Sequence, residues 1–319
     1  MFPRLFFAHL PTPIEELPRL TKFLNGPQLF IKRDDQTGLA FGGNKTRKLE
    51  FLLGEAQALG AKTLITAGAA QSNHCRQTAA AAAHFGMSCT LVLTGEEPSL
   101  PSGNLLLDDL FGAKIIWVKD RSDREKVLQK TYGKLASSGK NPYLVPYGGS
   151  SPIGALGYVY AMQEFLSQGI LVDWVIFASS SGGTQAGLVC GAKQFGFNGQ
   201  LLGISIDEPK IKLQTIVSQL ATSITDLEKQ PFIFQPDEIL VNADYCGVGY
   251  GIFTNLEKNA IRLFAEYEGI LLDPVYTGRA AGGMLDLINK GFIKKSSRVL
   301  FWHTGGQPAL FASAYSGTI

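Results

Sequence analysis

The segment FGGNKTRKLE, residues 41–50, places a lysine where its amine is suited to nucleophilic chemistry. Behind Lys45, apolar residues recur at the spacing of one helical face, and the run ends at Gly60, a typical C-terminal cap. Those apolar residues are Leu49, Leu52, Leu53, Ala56 and Leu59. Lys45 is therefore predicted in the first turn of a helix, where the partial positive charge of the helix end favours the neutral amine over the ammonium ion. A neutral lysine amine can add to an aldehyde, although Arg47 and Lys48 nearby also suit a solvated surface segment.

The segment WVIFASSSGGTQAGLVCG, residues 174–191, has the pattern of a phosphate-binding turn. An apolar strand leads into a run of hydroxyl residues and glycines, and a helix of small residues follows. The run contains Ser180, Ser181, Gly182, Gly183 and Thr184. Glycines let backbone N–H groups converge on an anion, and the positive end of the following helix points toward it. The segment lacks the GK[ST] of a Walker loop and the GxGxxG of a dinucleotide site. Together with a nucleophilic lysine, it predicts an enzyme that uses pyridoxal 5′-phosphate (PLP), an aldehyde cofactor that carries a phosphate.

The elements that must position these residues alternate between strands and helices along most of the chain. Strands are predicted at 62–68, 88–95, 114–120, 143–149, 174–180, 201–207 and 298–306. They are rich in Val, Ile and Leu with little polar alternation, which is typical of parallel strands covered on both faces. Helical stretches such as 73–86 and 122–139 lie between them. We therefore predict an α/β fold of open, twisted parallel sheets with helices on both faces, and the length of 319 residues favours two lobes.

Composition argues against several other classes of protein. The 29 Lys and Arg against 27 Asp and Glu give a formal charge of +2, too small to suggest a nucleic-acid partner. No uncharged apolar stretch approaches the ~18 residues that span a membrane, and the N-terminal MFPRLFFAHLPTP lacks the cleavage site of a signal peptide. We therefore expect no membrane association and a cytoplasmic location. The four cysteines form no CxxC pair and the four histidines no HExxH motif, so neither a disulfide framework nor a bound metal is expected.

Five motifs occur in an order and at a spacing that resemble one family of enzymes. They are GGNKTRKLEFLL, AAQSNHCRQTAA, SSSGGTQAGL, LLDPVYTGRAAGG and FWHTGGQPALF, within about residues 10–315. In these motifs the chain resembles the 1-aminocyclopropane-1-carboxylate (ACC) deaminase / D-cysteine desulfhydrase family of PLP enzymes, which have the tryptophan-synthase β type of fold (fold type II). The resemblance implies PLP as the cofactor, a small amino acid as the substrate and a homodimer. It also implies a large PLP-binding lobe from residues 1–47 and 158–319, and a smaller inserted lobe from residues 48–157.

The resemblance assigns roles around the lysine and the QSNH motif. Lys45 would bind PLP covalently and then move the Cα proton of the substrate, with Asn44 beside it. Asn73 would donate a hydrogen bond to the 3′-oxygen of PLP. Ser72, Asn73 and His74 would receive the substrate carboxylate at the start of their own helix, where Ser and Asn donors give charge-assisted hydrogen bonds.

The resemblance also assigns the phosphate site and two tyrosines. Lys48 would help to hold the phosphate together with the run from Ser180 to Thr184. Tyr276 of DPVYTG and Tyr250 of GVGYG match the two active-site tyrosines of the family. The implied catalytic residues are therefore Lys45, Ser72, Tyr250 and Tyr276. One departure is Cys75, which follows SNH where the family often has an aliphatic residue; it fits either simple packing or a trimmed substrate pocket.

Two further positions bear on which branch of the family the chain resembles. Deaminases carry a carboxylate after the tyrosine of DPVY, which keeps the pyridine nitrogen of PLP protonated for ring opening; this chain has Thr277 there. Thr304 of WHTGG matches the desulfhydrase branch, where deaminases carry leucine. Both residues favour β-elimination of D-cysteine to pyruvate, ammonia and hydrogen sulfide. The alternatives are ACC deaminase, a lyase for another β-substituted amino acid such as β-chloroalanine or cysteate, and a non-catalytic PLP-binding or small-molecule-binding protein.

Overall fold

The computed structural model describes residues 2–247 and 249–317. In this part of the chain we number ten strands in chain order. They are β1 (Ile14–Glu16), β2 (Gln28–Arg33), β3 (Thr63–Ala69), β4 (Ser88–Thr94), β5 (Lys114–Val118), β6 (Pro142–Leu144), β7 (Trp174–Ser179), β8 (Gln200–Ser205), β9 (Val241–Asn242) and β10 (Arg298–His303).

Ten α-helices, numbered in the same described residues, connect and cover the strands. They are α1 (Pro18–Leu24), α2 (Asn44–Ala58), α3 (Asn73–His84), α4 (Gly103–Leu110), α5 (Asp123–Ser137), α6 (Pro152–Ser167), α7 (Gly183–Phe195), α8 (Lys210–Leu227), α9 (Asn255–Glu268) and α10 (Thr277–Asn289). The helices predicted at 73–86 and 122–139 correspond to α3 and α5.

The strands form two sheets with helices on both faces, so the predicted α/β class is confirmed. The larger sheet has the order β1-β2-β10-β7-β8-β9, and the smaller has the order β5-β4-β3-β6. Strand pairs are parallel except β1 with β2, which makes the larger sheet mixed rather than purely parallel as predicted. The sequence patterns did not indicate β1, β2 or β9, because β1 and β9 are very short and β2 contains the cations Lys32 and Arg33.

Side chains on alternate residues of the larger sheet belong to two separate cores. Ile176 and Ala178 of β7 pack toward α9 and α10, whereas Val175 and Phe177 pack toward α6 and α7. The smaller sheet is likewise covered by α2, α3 and α4 on one face and by α5 on the other. Burial on both faces explains why these strands are almost uniformly apolar.

The segment 143–149 is shorter as a strand than predicted. Strand β6 ends at Leu144, and Tyr147–Gly149 form a 3-10 turn. The physical reason is local: Pro146 has no N–H to give to a sheet, and Gly148 and Gly149 adopt positive φ angles of 65° and 63°.

The two sheets draw their strands from different parts of the chain. Strands β3 to β6 all lie within residues 48–157, and the other six lie outside that range. Helices α2 and α6 cross the predicted boundaries, so the exact limits of the lobes stay a prediction. Among the described residues, no helix combines the length and the apolar character needed to cross a lipid bilayer.

Candidate active site

A cavity between the two sheets is lined by segments that follow the carboxyl ends of parallel strands. These segments come after β3, β6, β7 and β10, and the start of α2 and Tyr276 complete the lining. Loops at the carboxyl ends of parallel strands are the usual place for ligands in α/β proteins. The lining residues are Asn44, Lys45, Ser72, Asn73, His74, Tyr147, Gly148, Ala178, Ser179, Ser180, Ser181, Gly182, Thr184, Tyr276, Thr304 and Gly305.

Lys45 is the second residue of α2, in the first turn as predicted. Its Nζ lies 3.2 Å from Asn44 Oδ1. Burial, followed by the nearby positive charge of Arg76, lowers the pKa of the Lys45 amine to about 8 from its ordinary value of 10.5, although Asp273 opposes the shift. The neutral, nucleophilic form is therefore accessible near neutral pH.

Lys48 and Arg47 are both buried, so the surface-lysine alternative for this segment does not fit the structure. Lys48 Nζ donates to the Gly148 carbonyl at 3.1 Å and lies 3.4 Å from Ser150 Oγ, directly behind the cavity lining. Burial, and then the charge of Lys45, lower the pKa of the Lys48 amine well below its usual range. Arg47 points the other way, into a buried ion pair with Asp34.

The segment after β7 forms the predicted turn from a strand into a helix. Gly182 has a φ of 80° and caps α7, whose N-terminus faces the cavity. Ser181 Oγ lies 2.8 Å from Ser150 Oγ, and Ser150 Oγ also accepts the N–H of Gly183 at 3.2 Å. Ser180 donates to Asp207 at 2.7 Å. The turn is therefore fixed by neighbours that lie outside it.

Asn44 links the start of α2 to this turn. Its side-chain Nδ2 donates to Thr184 Oγ1 at 3.1 Å, and its backbone N–H donates to the carbonyl of Thr304 at 3.0 Å. The hydrogen bond between Asn44 and Thr184 thus holds the start of α2, which carries Lys45, next to the serine–glycine turn.

The start of α3 brings Ser72, Asn73 and His74 to the same cavity. Ser72 Oγ caps the helix by accepting the N–H of Cys75 at 3.2 Å, and the Ser72 hydroxyl is also hydrogen-bonded to the Cys75 sulfur. Asn73 Oδ1 accepts hydrogen bonds from Arg76 and Asn104. The backbone N–H groups of a first helical turn favour an anion such as a carboxylate.

The His74 side chain carries its proton on the ring nitrogen that faces Thr66. Thr66 Oγ1 donates its proton to the Val145 carbonyl at 2.8 Å, so His74 Nε2, 2.9 Å from the same oxygen, must carry the N–H of that contact. Nδ1 then bears a lone pair, and it is buried without a hydrogen-bond partner in the described part of the chain. Burial and the charges of Lys45 and Lys48 lower the pKa of His74 well below 6.5. A substrate carboxylate could therefore use only the backbone N–H of His74.

Tyr276 and Tyr250 form a hydroxyl pair at the cavity, although only Tyr276 is part of the lining. Their oxygen atoms are 2.9 Å apart. Burial is the main cause that raises the pKa of both hydroxyls above the usual value of 10. Both tyrosines are therefore protonated at neutral pH and can donate a proton.

Thr304 lines the cavity, whereas Thr277 lies behind it and is fully buried. Thr277 Oγ1 donates to Asp273 Oδ1 at 2.7 Å and accepts the N–H of Asp273 at 2.7 Å. The second Asp273 oxygen accepts the N–H groups of Val275 and Tyr276, each at 3.0 Å. The hydroxyl proton of Thr277 is thus already bound to a carboxylate.

Several residues that contribute to the site were not predicted from the sequence. Tyr147 and Gly148 line the cavity, Ser150 and Asp207 hold the serine turn, and Asp273 holds Thr277. The only signal for the first group was the YGGSS run after a short strand, which resembles the serine–glycine run after β7.

Cys75 lies behind Ser72 in the core of the smaller lobe and is fully buried, so the packing alternative describes it. Among the described residues, no group of three or more His, Cys, Asp or Glu side chains could hold a metal ion.

Comparison with known proteins identifies the family to which the chain belongs. Residues 5–305 match the model of the family described as pyridoxal-phosphate dependent enzyme. The chain belongs to this family. Its cofactor is PLP, and the predicted fold type II is confirmed.

Solved structures similar to the chain include three informative examples. An ACC deaminase homologue is 37% identical, with a TM-score of 0.91 and coverage of 99% of this chain and 95% of that chain. An L-serine ammonia-lyase from Rhizomucor miehei is 17% identical, with a TM-score of 0.69 and coverage of 97% and 96%. A hydrogen sulfide-producing enzyme from Fusobacterium nucleatum is 16% identical, with a TM-score of 0.65 and coverage of 93% and 96%. The last two show a shared fold only.

The residues present in this pyridoxal-phosphate dependent enzyme fit the cofactor. The half-buried Lys45 has a lowered pKa and lines the cavity, and the start of the thirteen-residue helix α7 faces the same cavity. The Ser179 hydroxyl, also in the lining, is buried without a partner among the described residues. A Cβ at Gly148 would collide with Ser181 Oγ, so this approach to the serine turn requires glycine. An amine and a cradle of hydroxyls are the groups that an aldehyde bearing a phosphate requires.

Proposed function

We propose that the chain is a PLP-dependent lyase that removes the β-substituent from a small amino acid, with D-cysteine as the preferred substrate. The observation that carries the proposal is the joint presence, around one cavity, of the Lys45 amine, the start of α3 and the Tyr276 hydroxyl. These groups are a base, an anion site and an acid. The choice of D-cysteine is supported by Thr277 and Thr304, which match the desulfhydrase branch of the resembling family.

When bound, PLP supplies an aldehyde to which amino groups add and a ring that withdraws electrons from the Cα of the substrate. The lining residues Ser180, Ser181, Gly182 and Thr184 would hold its phosphate, with Gly183 and Lys48 supporting the turn from behind. Asn73 would contact its 3′-oxygen. Ser72 would bind the substrate carboxylate with its hydroxyl, turned from the Cys75 sulfur, and with the first N–H groups of α3.

Lys45 would move the proton that starts the elimination. Its neutral Nζ takes the proton from the substrate Cα, after which the Cβ–S bond breaks and the sulfur leaves with the bonding electrons. Tyr276 is the cavity hydroxyl that we assign to protonate the departing sulfur, and Tyr250, 2.9 Å away, can return a proton to it. Addition of water then gives pyruvate and ammonium, so the overall change is D-cysteine plus water to pyruvate, ammonium and hydrogen sulfide.

A second candidate is deamination of ACC. It is supported by the 37% identity to an ACC deaminase homologue. A further supporting feature is Asp273, whose carboxylate accepts a hydrogen bond from the Thr277 hydroxyl. A carboxylate therefore lies next to Thr277, on the far side of its hydroxyl group. The deaminase branch has a carboxylate at the Thr277 position itself.

A steady-state substrate panel distinguishes these candidates. D-cysteine, L-cysteine, β-chloro-D-alanine, cysteate and ACC are each supplied to the purified protein, and pyruvate, sulfide and α-ketobutyrate are measured. We expect the highest kcat/KM with D-cysteine, with sulfide and pyruvate released in equal amounts. Faster release of α-ketobutyrate from ACC would establish the second candidate. A PLP-bound protein inactive on all five would favour a binding protein.

The attachment residue is tested separately. The protein as purified is expected to be yellow, and borohydride should fix the cofactor irreversibly to one lysine that tryptic mapping identifies as Lys45. The matched control is Lys45→Arg, which keeps the positive charge but should carry no adduct. An adduct on Lys48 instead would contradict the assignment.

We further propose the homodimer, the cytoplasmic location and the lobe limits at residues 47/48 and 157/158 that the sequence suggested. The division into lobes is supported by the origin of β3 to β6 in the inserted segment. Light scattering measures the mass of the assembly against the 34.5 kDa chain.

A further inference from the structure

Asn73 lines the cavity, and its amide is held by two residues that do not. Arg76 Nη1 donates to Asn73 Oδ1 at 3.2 Å, and Asn104 Nδ2 donates to the same oxygen at 2.8 Å. Arg76 and Asn104 are both fully buried, and neither is part of the cavity lining. Asn104 lies in α4, an element that the sequence motifs did not connect with the site.

The orientation of the Asn104 amide is fixed from both ends. Its Oδ1 faces the Arg76 guanidinium at 2.8 Å, a group that can only donate. Its Nδ2 faces the Gln71 backbone carbonyl at 2.9 Å, a group that can only accept. Reversing the Asn104 amide would break both contacts, so the side facing Asn73 must be an N–H donor.

The orientation of the Asn73 amide follows from the two donors at its oxygen. Because two donors meet at its Oδ1, the oxygen must face away from the ligand side, and the Nδ2 hydrogens remain for the cavity. We propose that Asn104 and Arg76 are positioning residues that hold Asn73 as a hydrogen-bond donor toward the PLP ring. The proposal rests on the proposed role of Asn73 at the 3′-oxygen of PLP, which requires a donor because that oxygen carries negative charge in the bound cofactor.

Two more contacts keep the positioning pair rigid. Arg76 Nη2 donates to the Gly42 carbonyl at 2.8 Å, just before Lys45, and the Asn104 backbone N–H donates to Gln71 Oε1 at 2.8 Å. Arg76 thereby connects α3 to the segment that leads into α2. Burial lowers the pKa of Arg76 to about 10, so the guanidinium still carries its charge at neutral pH.

The test is Asn104→Asp, which replaces the amide donor that faces Asn73 and the Gln71 carbonyl by a carboxylate oxygen. The carboxylate still accepts from Arg76, and an acidic residue in the first turn of α4 is compatible with the helix dipole. It cannot donate to Asn73, so Asn73 is expected to turn its N–H toward the carboxylate and its oxygen toward the cavity. Loss of a hydrogen bond to a charged oxygen should raise the dissociation constant for PLP by at least about tenfold.

PLP binding is measured by absorbance titration of the cofactor-free protein, and the melting temperature of that protein is recorded in parallel. Asn255→Asp is the matched control, since it adds a carboxylate to the exposed first turn of α9, outside the cavity. We expect about tenfold weaker PLP binding by Asn104→Asp and unchanged binding by Asn255→Asp, and the melting temperature shows whether Asn104→Asp is folded. Weak PLP binding by the unaltered protein would instead count against the proposed function.

A double-mutant cycle separates positioning from general stability. In an Asn73→Ala background, Asn104→Asp should change PLP affinity by less than about twofold, because the group that it positions is absent. If Asn104→Asp does not fold, Asn104→Ala removes the same donor, and about threefold weaker PLP binding is expected. PLP binding within twofold of the unaltered protein in the folded variant, or an equal loss in the Asn73→Ala background, would overturn the proposal.

Discussion

The pH dependence of covalent PLP binding depends on the ionisation of the Lys45 amine. Burial and the charge of Arg76 bring the pKa of Lys45 to about 8, and the neutral amine predominates above that value. We therefore predict that the rate of covalent PLP capture by the cofactor-free protein rises with pH and levels off with a midpoint near 8. Stopped-flow absorbance measures the rate.

The control for this prediction separates the two causes of the lowered pKa. Arg76→Met removes the nearby charge but keeps the site buried, so the midpoint should move upward and remain below the ordinary value of 10.5. A midpoint above 10 in the unaltered protein would show that Lys45 is solvated as an ordinary lysine.

Thr277 is the residue at which a deaminase-like substitution is expected to be costly. Thr277→Glu puts a second carboxyl against Asp273 at a fully buried position. Burial and the like charge of Asp273 should raise the pKa of the new carboxyl above its unfolded value of ~4.3. The folded state should therefore be least stable at high pH, where the carboxyl is ionised. Stability should be retained below pH ~4 and lost as pH rises through the folded pKa.

The comparison for Thr277→Glu is Thr277→Gln, which has the same size without the titrating proton. Urea unfolding at pH 5 and pH 8 should show Thr277→Glu falling behind Thr277→Gln at the higher pH by ~1.4–4 kcal/mol, the equivalent of one to three pKa units. We also expect Thr277→Glu to lose D-cysteine elimination. Equal stability of the two variants at both pH values would mean that Asp273 does not interact with the new carboxyl.

At the scale of elements, α6 and α7 pack so closely that one glycine cannot be replaced. A Cβ at Gly187 would collide with the Ala155 carbonyl and come within 2.5 Å of Tyr158 Cβ. Gly187→Ala should therefore destabilise the protein by about 1–3 kcal/mol through overpacking, even though alanine is the better helix former. The free energy of urea unfolding measures the effect.

Gly133 in α5 provides the opposite case within the same chain. A Cβ there would meet nothing within 4 Å, and the residue is exposed. Gly133→Ala should stabilise the protein by about 0.5–1 kcal/mol, the gain in helix propensity alone. If Gly187→Ala also stabilised, the close contact of α6 and α7 would be refuted. These helices matter for function because α7 begins at the serine turn.

At the scale of the whole molecule, a buried carboxylate joins elements that are far apart in sequence. Asp34 accepts hydrogen bonds from Arg47 of α2, Tyr158 of α6 and Trp302 of β10, at 2.6–2.9 Å. Burial opposes its charge, but the charge and hydrogen bonds of Arg47, the charge of Lys32 and the hydrogen bond from Tyr158 lower the pKa of Asp34 to about 2. Asp34→Asn should cost about 3–5 kcal/mol, because the buried Arg47 would lose its fully buried counter-ion and keep only the partly exposed Glu164.

The pH dependence of that loss follows from the lowered pKa. The contribution of Asp34 is complete above the unfolded pKa near 4 and is lost as pH falls toward about 2. The stability difference between the unaltered protein and Asp34→Asn, measured with guanidinium chloride, should therefore narrow between pH 4 and pH 2. Asp237→Asn, at an exposed position, should stay within ~0.5 kcal/mol throughout. A difference independent of pH would show that the charge of Asp34 is not what holds these elements.

Features that depend on local sequence pattern were predictable without the structure. Apolar strands separated by helical stretches specified an α/β fold, and the serine–glycine run after β7 specified a turn into a helix. The position of Lys45 in a first helical turn followed from the spacing of apolar residues after it. Each of these follows from side chains within about one or two turns of one another.

Which distant groups meet, and in which state of protonation, depends on how the whole chain folds. The cation Lys32 lies inside strand β2 because Glu164 and Gln168, more than 130 residues away, surround its amine. The His74 ring carries its proton toward Thr66 because Thr66 is committed to Val145, and the Thr277 proton went to Asp273. Hydrogen-bond direction and pKa depend on all the partners around a buried group, and folding brings those partners from separate parts of the chain.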